Sequence, residues 1–210
     1  LTLATTEKGY VAVGSEKGDI RLYDRLGVNA KSALPSIGDP IVGIDVSSDG
    51  RWLLATCKTY LLLIDVLIGS ENKNAGSLGF EKYFDKDKKP KPIRLAIRAE
   101  HARYITESTG KAISFTVAHF NTGVNTKESS IVTSCGPYII SWSLKQILQG
   151  KTRSYTVKEY QAPIVADNFK YGSDSDVIYA STNDVRMLDR KRMVSANRAL
   201  KGSSVVKKYE

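Results

Sequence analysis

The sequence predicts an all-β protein of the WD40-like β-propeller class, and two observations support this. First, one pattern occurs four times: an apolar strand ends on a small residue, a turn follows, and a second apolar strand ends on a polar residue. Second, the copies end 41, 78 and 46 positions apart, and a repeat of about 40 to 45 residues with four short strands is typical of propeller blades. The copies occupy residues 11–24, 53–65, 131–143 and 177–189.

The first two blades are predicted over residues 1–40 and 41–98, because turn residues separate short apolar strands there. Gly18 provides the positive φ that a tight hairpin needs, and Ser-Ser-Asp-Gly at 47–50 is a strong turn signal. The runs in blade two are almost continuously apolar, as expected for strands buried on both faces. The predicted strands are 1–5, 10–14, 20–23 and one within 30–37, then 41–46, 52–56, 60–66 and 93–97.

Residues 69–92 of blade two are predicted to form a long exposed insertion loop, because Gly, Ser, Lys, Asp and Pro are frequent in the segment. Three aromatic residues, Phe80, Tyr83 and Phe84, do not fit a solvated loop. They either pack back against the edge of the blade or form a hook for a protein partner, and disorder is the third alternative. Since exposed aromatic residues are typical interface anchors, these three are the candidate protein-interaction residues.

Blades three and four are predicted over residues 112–160 and 164–209. Between blades two and three, His101 is expected to be a surface or capping residue and not a metal ligand. A single helical turn is expected at 145–149, because a glycine follows it. The tail 203–209 is either an outer strand or disordered. The remaining predicted strands are 113–118, 131–134, 138–144, 155–160, 166–171, 177–180 and 185–188.

Each predicted blade has large apolar faces and needs a neighbour to bury them. Four blades make a narrow ring, and the chain begins immediately with an inner strand. We therefore expect the four blades to be part of a larger propeller of about seven blades, a common number for this period, with earlier blades upstream of this chain.

The composition is that of an ordinary folded domain, with 41% hydrophobic and 25% charged residues among 210, which excludes a disordered chain. The longest apolar run, 60–64, is too short to span a bilayer, and no targeting segment is visible. Cys57 and Cys135 occupy the same place in their repeats, where a small side chain is needed. They are expected to be reduced thiols, which fits a cytoplasmic protein, although a disulfide between neighbouring blades stays open.

No arrangement of residues indicates an enzyme, a cofactor site or a metal site. The two histidines are far apart and form no triad. The Gly-Ser-Glu-Lys-Gly segment at 14–18 lies in a hairpin, whereas a phosphate-binding loop would precede a helix. Asp45 interrupts an apolar strand, and it is either a buried, hydrogen-bonded structural residue or a binding group that faces the central channel.

Three segments, at 14–27, 49–56 and 183–188, resemble the family of the fungal vacuole import and degradation protein twenty-seven and its plant Cypro-type relatives. The resemblance implies the C-terminal WD40-like propeller of a larger cytoplasmic protein, without enzymatic activity, that is linked to the vacuolar import and degradation of gluconeogenic enzymes. The strand ends depart from the common Trp-Asp pattern, so blade stability is expected to depend on apolar packing. The departing pairs are Tyr23-Asp24, Ile64-Asp65, Trp142-Ser143 and Leu188-Asp189.

The first functional hypothesis is a non-enzymatic scaffold that binds other proteins, because propellers present rigid loops at both ends of a central channel. The alternative is a binder of anionic lipid headgroups or nucleic acid, suggested by the net charge of +9, although no specific nucleic-acid module is recognisable. Peripheral contact with an anionic membrane stays open. A nuclear location also stays open as an alternative to the cytoplasm. The basic residues for this alternative are Lys82, Lys86, Lys88, Lys89 and Lys91 in one patch and Arg190, Lys191, Arg192, Lys201, Lys207 and Lys208 in another.

Overall fold

The structure is a computed structural model that describes residues 1–121, 128–160, 164–166, 176–181, 184–189, 194–195 and 200. Within these residues the strands form four antiparallel sheets, accompanied by two helices. The all-β class predicted from the repeats is confirmed, and each sheet contains one copy of the repeated pattern. The sheets are named blades one to four in chain order.

Blades one and two each contain four strands, which pair with one another in chain order. The predicted strands of both blades are present, with ends that differ by a few residues at most. Positive φ values of 82° at Gly18 and 75° at Gly50 confirm the two predicted turns. Blade one consists of β1 (Thr2–Thr5), β2 (Val11–Gly14), β3 (Ile20–Tyr23) and β4 (Ser32–Leu34). Blade two consists of β5 (Ile41–Val46), β6 (Trp52–Cys57), β7 (Leu61–Asp65) and β8 (Ile93–Leu95).

Blade three carries a fifth strand at its outer edge, which comes from the chain that follows blade four. Blade three consists of β9 (His119–Asn121), β10 (Ser130–Cys135), β11 (Tyr138–Ser143), β12 (Tyr155–Glu159) and β16 (Val194–Ser195). The described strands of blade four are β13 (Ile164–Ala166), β14 (Asp176–Ser181) and β15 (Val185–Asp189). The helices are α1 (Ala99–Thr109), between blades two and three, and α2 (Leu144–Leu148), which confirms the predicted helical turn.

The structure corrects the predicted inner strand of blade three. Residues 113–118 form no strand, because their backbone groups bind two different elements: the Phe115 amide donates to Lys58 O at 2.9 Å, and the Thr116 amide donates to Ser134 O at 2.9 Å. The inner strand is β9 instead. In blade four the inner strand begins at Ile164, and the remainder of the predicted 166–171 strand lies outside the described residues, as does the predicted 203–209 tail.

The core lies in layers between adjacent blades, because alternate residues of one strand point to opposite faces of its sheet. In β6, Leu53 and Ala55 pack with side chains of blade one, whereas Leu54 packs with side chains of blade three. In β7, Leu62 and Leu61 divide in the same way. These strands are therefore buried on both faces, as their continuous apolar runs predict.

Polar groups join the inner strands of blades two and three. Asp45 is 8% exposed, and its carboxylate accepts hydrogen bonds from the Phe120 amide at 2.8 Å and the Val46 amide at 3.0 Å. This confirms the buried structural role for Asp45. Beside it, a Cβ on Gly43 would lie 2.3 Å from a methyl carbon of Val117, so only glycine allows the two inner segments to approach this closely.

The two faces of blade three differ in chemistry. The face toward blade two carries Ile140, Trp142 and Tyr155, which join one apolar cluster with side chains of blade two. On the face toward blade four, Val132 and Ile139 pack with Ile164 and Tyr179. Toward the end of the strands that leads into α2, that face is lined by hydroxyl groups beside a cavity of about 330 Å³. Those hydroxyl residues are Ser130, Ser141, Ser143, Thr156 and, on the added strand, Ser195.

Candidate protein-interaction site

The insertion at 69–92, named the blade-two insertion, folds back over blade one. Its Phe80 ring stacks on Tyr10 of blade one, with ring centroids 5.2 Å apart and planes at 11°. Phe80 is fully buried, and Phe84 is 6% exposed in the same apolar cluster. Gly79 allows this packing, since a Cβ there would lie 2.6 Å from the Phe84 ring.

Hydrogen bonds fasten the blade-two insertion to blade one. The Tyr10 hydroxyl donates to the Glu81 carboxylate, which raises the pKa of Tyr10 to about 12 and lowers the pKa of Glu81. The Ser32 hydroxyl donates to Lys82 O at 3.0 Å, and the Lys89 ammonium donates to Ala33 O at 2.7 Å. These contacts join blades one and two by a route separate from their shared apolar layer.

Asparagine side chains hold the inside of the blade-two insertion. Asn72 is 6% exposed; its amide group accepts from the Asp85 amide at 2.9 Å and donates to Lys88 O at 3.3 Å. Asn74 donates from its side chain to Tyr83 O at 2.9 Å. The backbone that carries Tyr83 is therefore fixed, although its side chain points outward.

The structure divides the three candidate aromatic residues into two groups. Phe80 and Phe84 are buried, because both rings fill space between the blade-two insertion and blade one. For these two, the interpretation of packing against a blade edge is confirmed. Tyr83 is 58% exposed and presents its side chain to solvent. The protein-binding role of the segment stays a prediction, and Tyr83 is the candidate residue that is accessible to a partner.

The lysines of the first predicted basic patch fall into two groups: those that contact the fold and those that do not share these contacts. Lys88 donates to Glu71 O and lies 3.8 Å from Asp85, and Lys89 binds blade one. These two lysines therefore hold the blade-two insertion in place. Lys82, Lys86, Lys88 and Lys91 are exposed, and Lys89 is half-buried. The second predicted patch, Arg190, Lys191, Arg192, Lys201, Lys207 and Lys208, lies outside the described residues. Binding of lipid or nucleic acid by either patch stays a prediction.

His101, Cys57 and Cys135 are buried in the fold. His101 is buried in α1, so its predicted surface position is wrong; its Nδ1 lies 2.6 Å from the Tyr155 hydroxyl. Cys57 and Cys135 are both free and buried, and burial raises the pKa of each thiol. A raised pKa lowers the fraction of thiolate at neutral pH, and the thiolate is the reactive form.

The structure also brings together cationic residues that the sequence leaves far apart. Arg94 and Arg98 border the start of α1, and Lys151 and Arg153 lie in the turn before β12. All four line adjoining cavities. No local motif connects the two segments, so sequence spacing carries no signal for this cluster. In the described part of the chain, no helix has the length and apolar character needed to cross a membrane.

Comparison with known proteins agrees with the architecture. Residues 1–206 match the VID27 C-terminal WD40-like domain. Vacuolar import and degradation protein 27 of Schizosaccharomyces pombe is 50% identical over 190 residues, which is 90% of this chain and 24% of that protein. The protein of the same name from Saccharomyces cerevisiae is 52% identical over 189 residues, with 89% and 24% covered. The chain spans about a quarter of the length of these relatives. The chain therefore belongs to the VID27 family and corresponds to its C-terminal WD40-like domain.

Proposed function

We propose that this chain is a non-catalytic protein-interaction module, with Tyr83 on the blade-two insertion as an anchor for a protein partner. The observation that supports this is an exposed aromatic side chain on a backbone fixed from both sides. The buried side chains of Phe80 and Phe84 hold the backbone on both sides of Tyr83. The side-chain amide of Asn74 donates a hydrogen bond to the Tyr83 carbonyl. An anchor held in advance loses little conformational freedom on binding, which favours affinity.

The names of the relatives suggest the process in which the module acts. Both are called vacuolar import and degradation proteins, and we propose that this chain recognises proteins in that process from the cytoplasm. WD40-like propellers suit this role, because their rigid strands hold variable loops at the surface. Supporting this, His101 is buried and hydrogen-bonded to Tyr155, His119 lies 3.6 Å from the Asp45 carboxylate, and both thiols are buried.

The proposal is tested by affinity capture with the Tyr83→Ala variant. A tyrosine at the centre of an interface typically contributes about 2 kcal/mol or more, so at least one specific partner should bind about 30-fold more weakly. Leu26→Ala is the matched control, because Leu26 is an apolar side chain 73% exposed outside the insertion. Retention of every partner by Tyr83→Ala, with unchanged affinities, would reject Tyr83 as the anchor.

A further inference from the structure

Two adjoining cavities lie between the outer edges of blades two and three. Their volumes are about 460 and 670 Å³, and they share Arg98, Thr152 and Arg153 as lining residues. One wall is the chain that leaves β8 and enters α1, and the other is the turn between α2 and β12. The cavities form one recess that is large enough for a side chain or a short peptide segment.

The recess is strongly cationic. Arg94, Arg98, Lys151 and Arg153 line it, and among the described lining residues Glu100 is the one carboxylate. Nearby positive charges in a partly enclosed cavity raise the local potential and attract anions. Guanidinium groups are also suited to phosphate, because their planar fork donates two parallel hydrogen bonds.

The Arg94 guanidinium is positioned by the fold, whereas Arg98 has a long contact with an exposed carboxylate. The Arg94 guanidinium lies over the Tyr60 ring, 4.0 Å from its centroid, and the Tyr60 hydroxyl donates to Asp39 at 2.6 Å. The Arg98 guanidinium lies 4.0 Å from the Glu100 carboxylate. A cation held by ring stacking needs less ordering when a ligand arrives.

The backbone adds to the same field. Helix α1 begins at the recess, and its first two residues, Ala99 and Glu100, are lining residues. Arg98, at the N-cap, makes no side-chain cap hydrogen bond to the first turn, and the N-terminal end of a helix carries a partial positive charge. The side-chain cations supply the larger part of the charge, and the helix end reinforces it.

We propose that this recess binds the phosphate of a phosphorylated serine or threonine in a protein partner. A phosphate monoester carries nearly two negative charges at neutral pH and three acceptor oxygens, which matches several converging cations. The recess favours a peptide over a lipid bilayer, because it is concave and carries Glu100 at its wall. Its described lining residues also include no large exposed apolar side chain that would enter a membrane. The inference rests on the proposed protein-interaction role and adds a second contact point, remote in sequence from Tyr83.

The test measures direct binding of the purified protein to a degenerate peptide library with a fixed central phosphoserine, against the same library with serine. The phosphorylated library should bind more tightly, and inorganic phosphate should compete. In Arg94→Gln/Arg153→Gln, binding should fall about a hundredfold, with each charged contact contributing about tenfold. Arg103→Gln is the matched control, since Arg103 is an exposed arginine of α1 that does not line the recess.

The outcomes separate this inference from the proposed function. Phosphate-dependent binding that is lost in the double variant and kept in the Arg103→Gln control supports the recess. Equal binding of both libraries, equal losses in the double variant and the control, or binding only to vesicles that contain phosphoinositides overturns it. Because the assay uses defined peptides, failure leaves the Tyr83 capture experiment unaffected. Thermal unfolding of each variant verifies that these exposed substitutions leave the fold intact.

Discussion

The two faces of blade three are built from the same strands, yet they bury different chemistry. Toward blade two, Trp142 and Ile140 pack among aromatic and aliphatic side chains. Toward blade four, the neighbouring residues in β11 are Ile139, Ser141 and Ser143, of which only Ile139 is apolar. Successive residues of β11 point to opposite faces of the sheet, so residues one position apart contribute to an apolar layer on one face and to a hydroxyl-rich layer on the other.

This difference indicates separate contributions to the fold. Apolar burial is roughly proportional to area and tolerates small displacements, whereas hydroxyl groups bind partners only at defined distances and angles. We infer that, among the described side chains, those toward blade two contribute more of the packing free energy around blade three than those toward blade four. The hydroxyl-lined face contributes less for each residue and instead specifies local geometry, as at the start of α2.

The largest expected effect is the loss of Trp142. Its ring is fully buried between Phe115 and Tyr155, with centroid separations of 6.5 and 5.3 Å. Trp142→Ala should lower the free energy of unfolding by about 3–5 kcal/mol, as for other buried aromatic truncations. Urea denaturation measures this. Trp142→Phe should cost less, because it keeps a ring and removes an indole N–H that is buried without a partner among the described atoms. A cost below about 1 kcal/mol for Trp142→Ala would contradict the comparison.

Ile140 and Ile139 form a matched pair that compares the faces directly. Both are fully buried and adjacent in β11, but Ile140 faces blade two and Ile139 faces blade four. Each truncation to alanine should cost about 2–5 kcal/mol. Ile140→Ala should lie at the upper end, because more of the described apolar side chains pack in its cluster than in that of Ile139. Denaturation of the two variants under identical conditions gives the difference, and a larger loss for Ile139→Ala would reverse our assignment of the stronger layer.

Tyr155 allows a pH test of the face toward blade two. Its hydroxyl accepts from the Arg98 amide at 2.8 Å and shares a hydrogen bond of 2.6 Å with Nδ1 of His101. Burial lowers the pKa of His101, with a smaller opposing effect from Glu100. Below a pH of about 6.5 the unfolded chain binds a proton that the folded protein resists, so stability should fall, by at most about 1.4 kcal/mol per pH unit.

Stability measured from pH 8 to pH 5 tests this expectation, with His101→Leu as the comparison. The variant removes the titrating group, so its profile should be flatter than that of the unaltered protein in the acid range. Identical slopes for the two proteins would show that His101 does not contribute to the acid sensitivity.

The smallest expected effect belongs to the hydroxyl-lined face. Ser143 is the N-cap of α2, and its hydroxyl accepts from the Gln146 amide at 3.5 Å, a long hydrogen bond. Ser143→Ala should therefore cost about 0.5–1 kcal/mol, at the low end of N-cap substitutions. Ser143→Asp keeps a capping oxygen and should restore most of the loss. If both variants lose the same stability, the cap is not the cause, and thermal unfolding in parallel decides this.

Most strands were predictable, because the signals for them are local. The alternation in β10 and β11, and the glycine turns at Gly18 and Gly50, lie within a few residues of the structure they specify. Helix α1 was missed because only His101 and Ile105 of its side chains are buried, which gives a weak apolar pattern. The inner strand of blade three was displaced because residues 113–118 look like a strand but bind two separate elements.

The candidate site was less predictable, because its determinants are distant in sequence. Nothing near Phe80 indicates that its ring meets Tyr10, which lies in another blade. The aromatic residues at 80–84 are recognisable from the sequence as unusual for a loop. Only the three-dimensional structure shows that Phe80 and Phe84 are buried and that Tyr83 is exposed. The recess with Arg94 and Arg153 had no sequence signal, since two blade edges must meet to form it.

In two places a later segment of the chain completes an earlier blade. The blade-two insertion binds blade one, and β16 pairs with β12 at the edge of blade three. During synthesis, the ribosome therefore releases the strands of blade three before the residues that complete its outer edge. Until residues 194–195 emerge, the β12 edge of the nascent chain offers unpaired amide and carbonyl groups to any extended peptide nearby. A chaperone that shields this edge would have most effect in that interval.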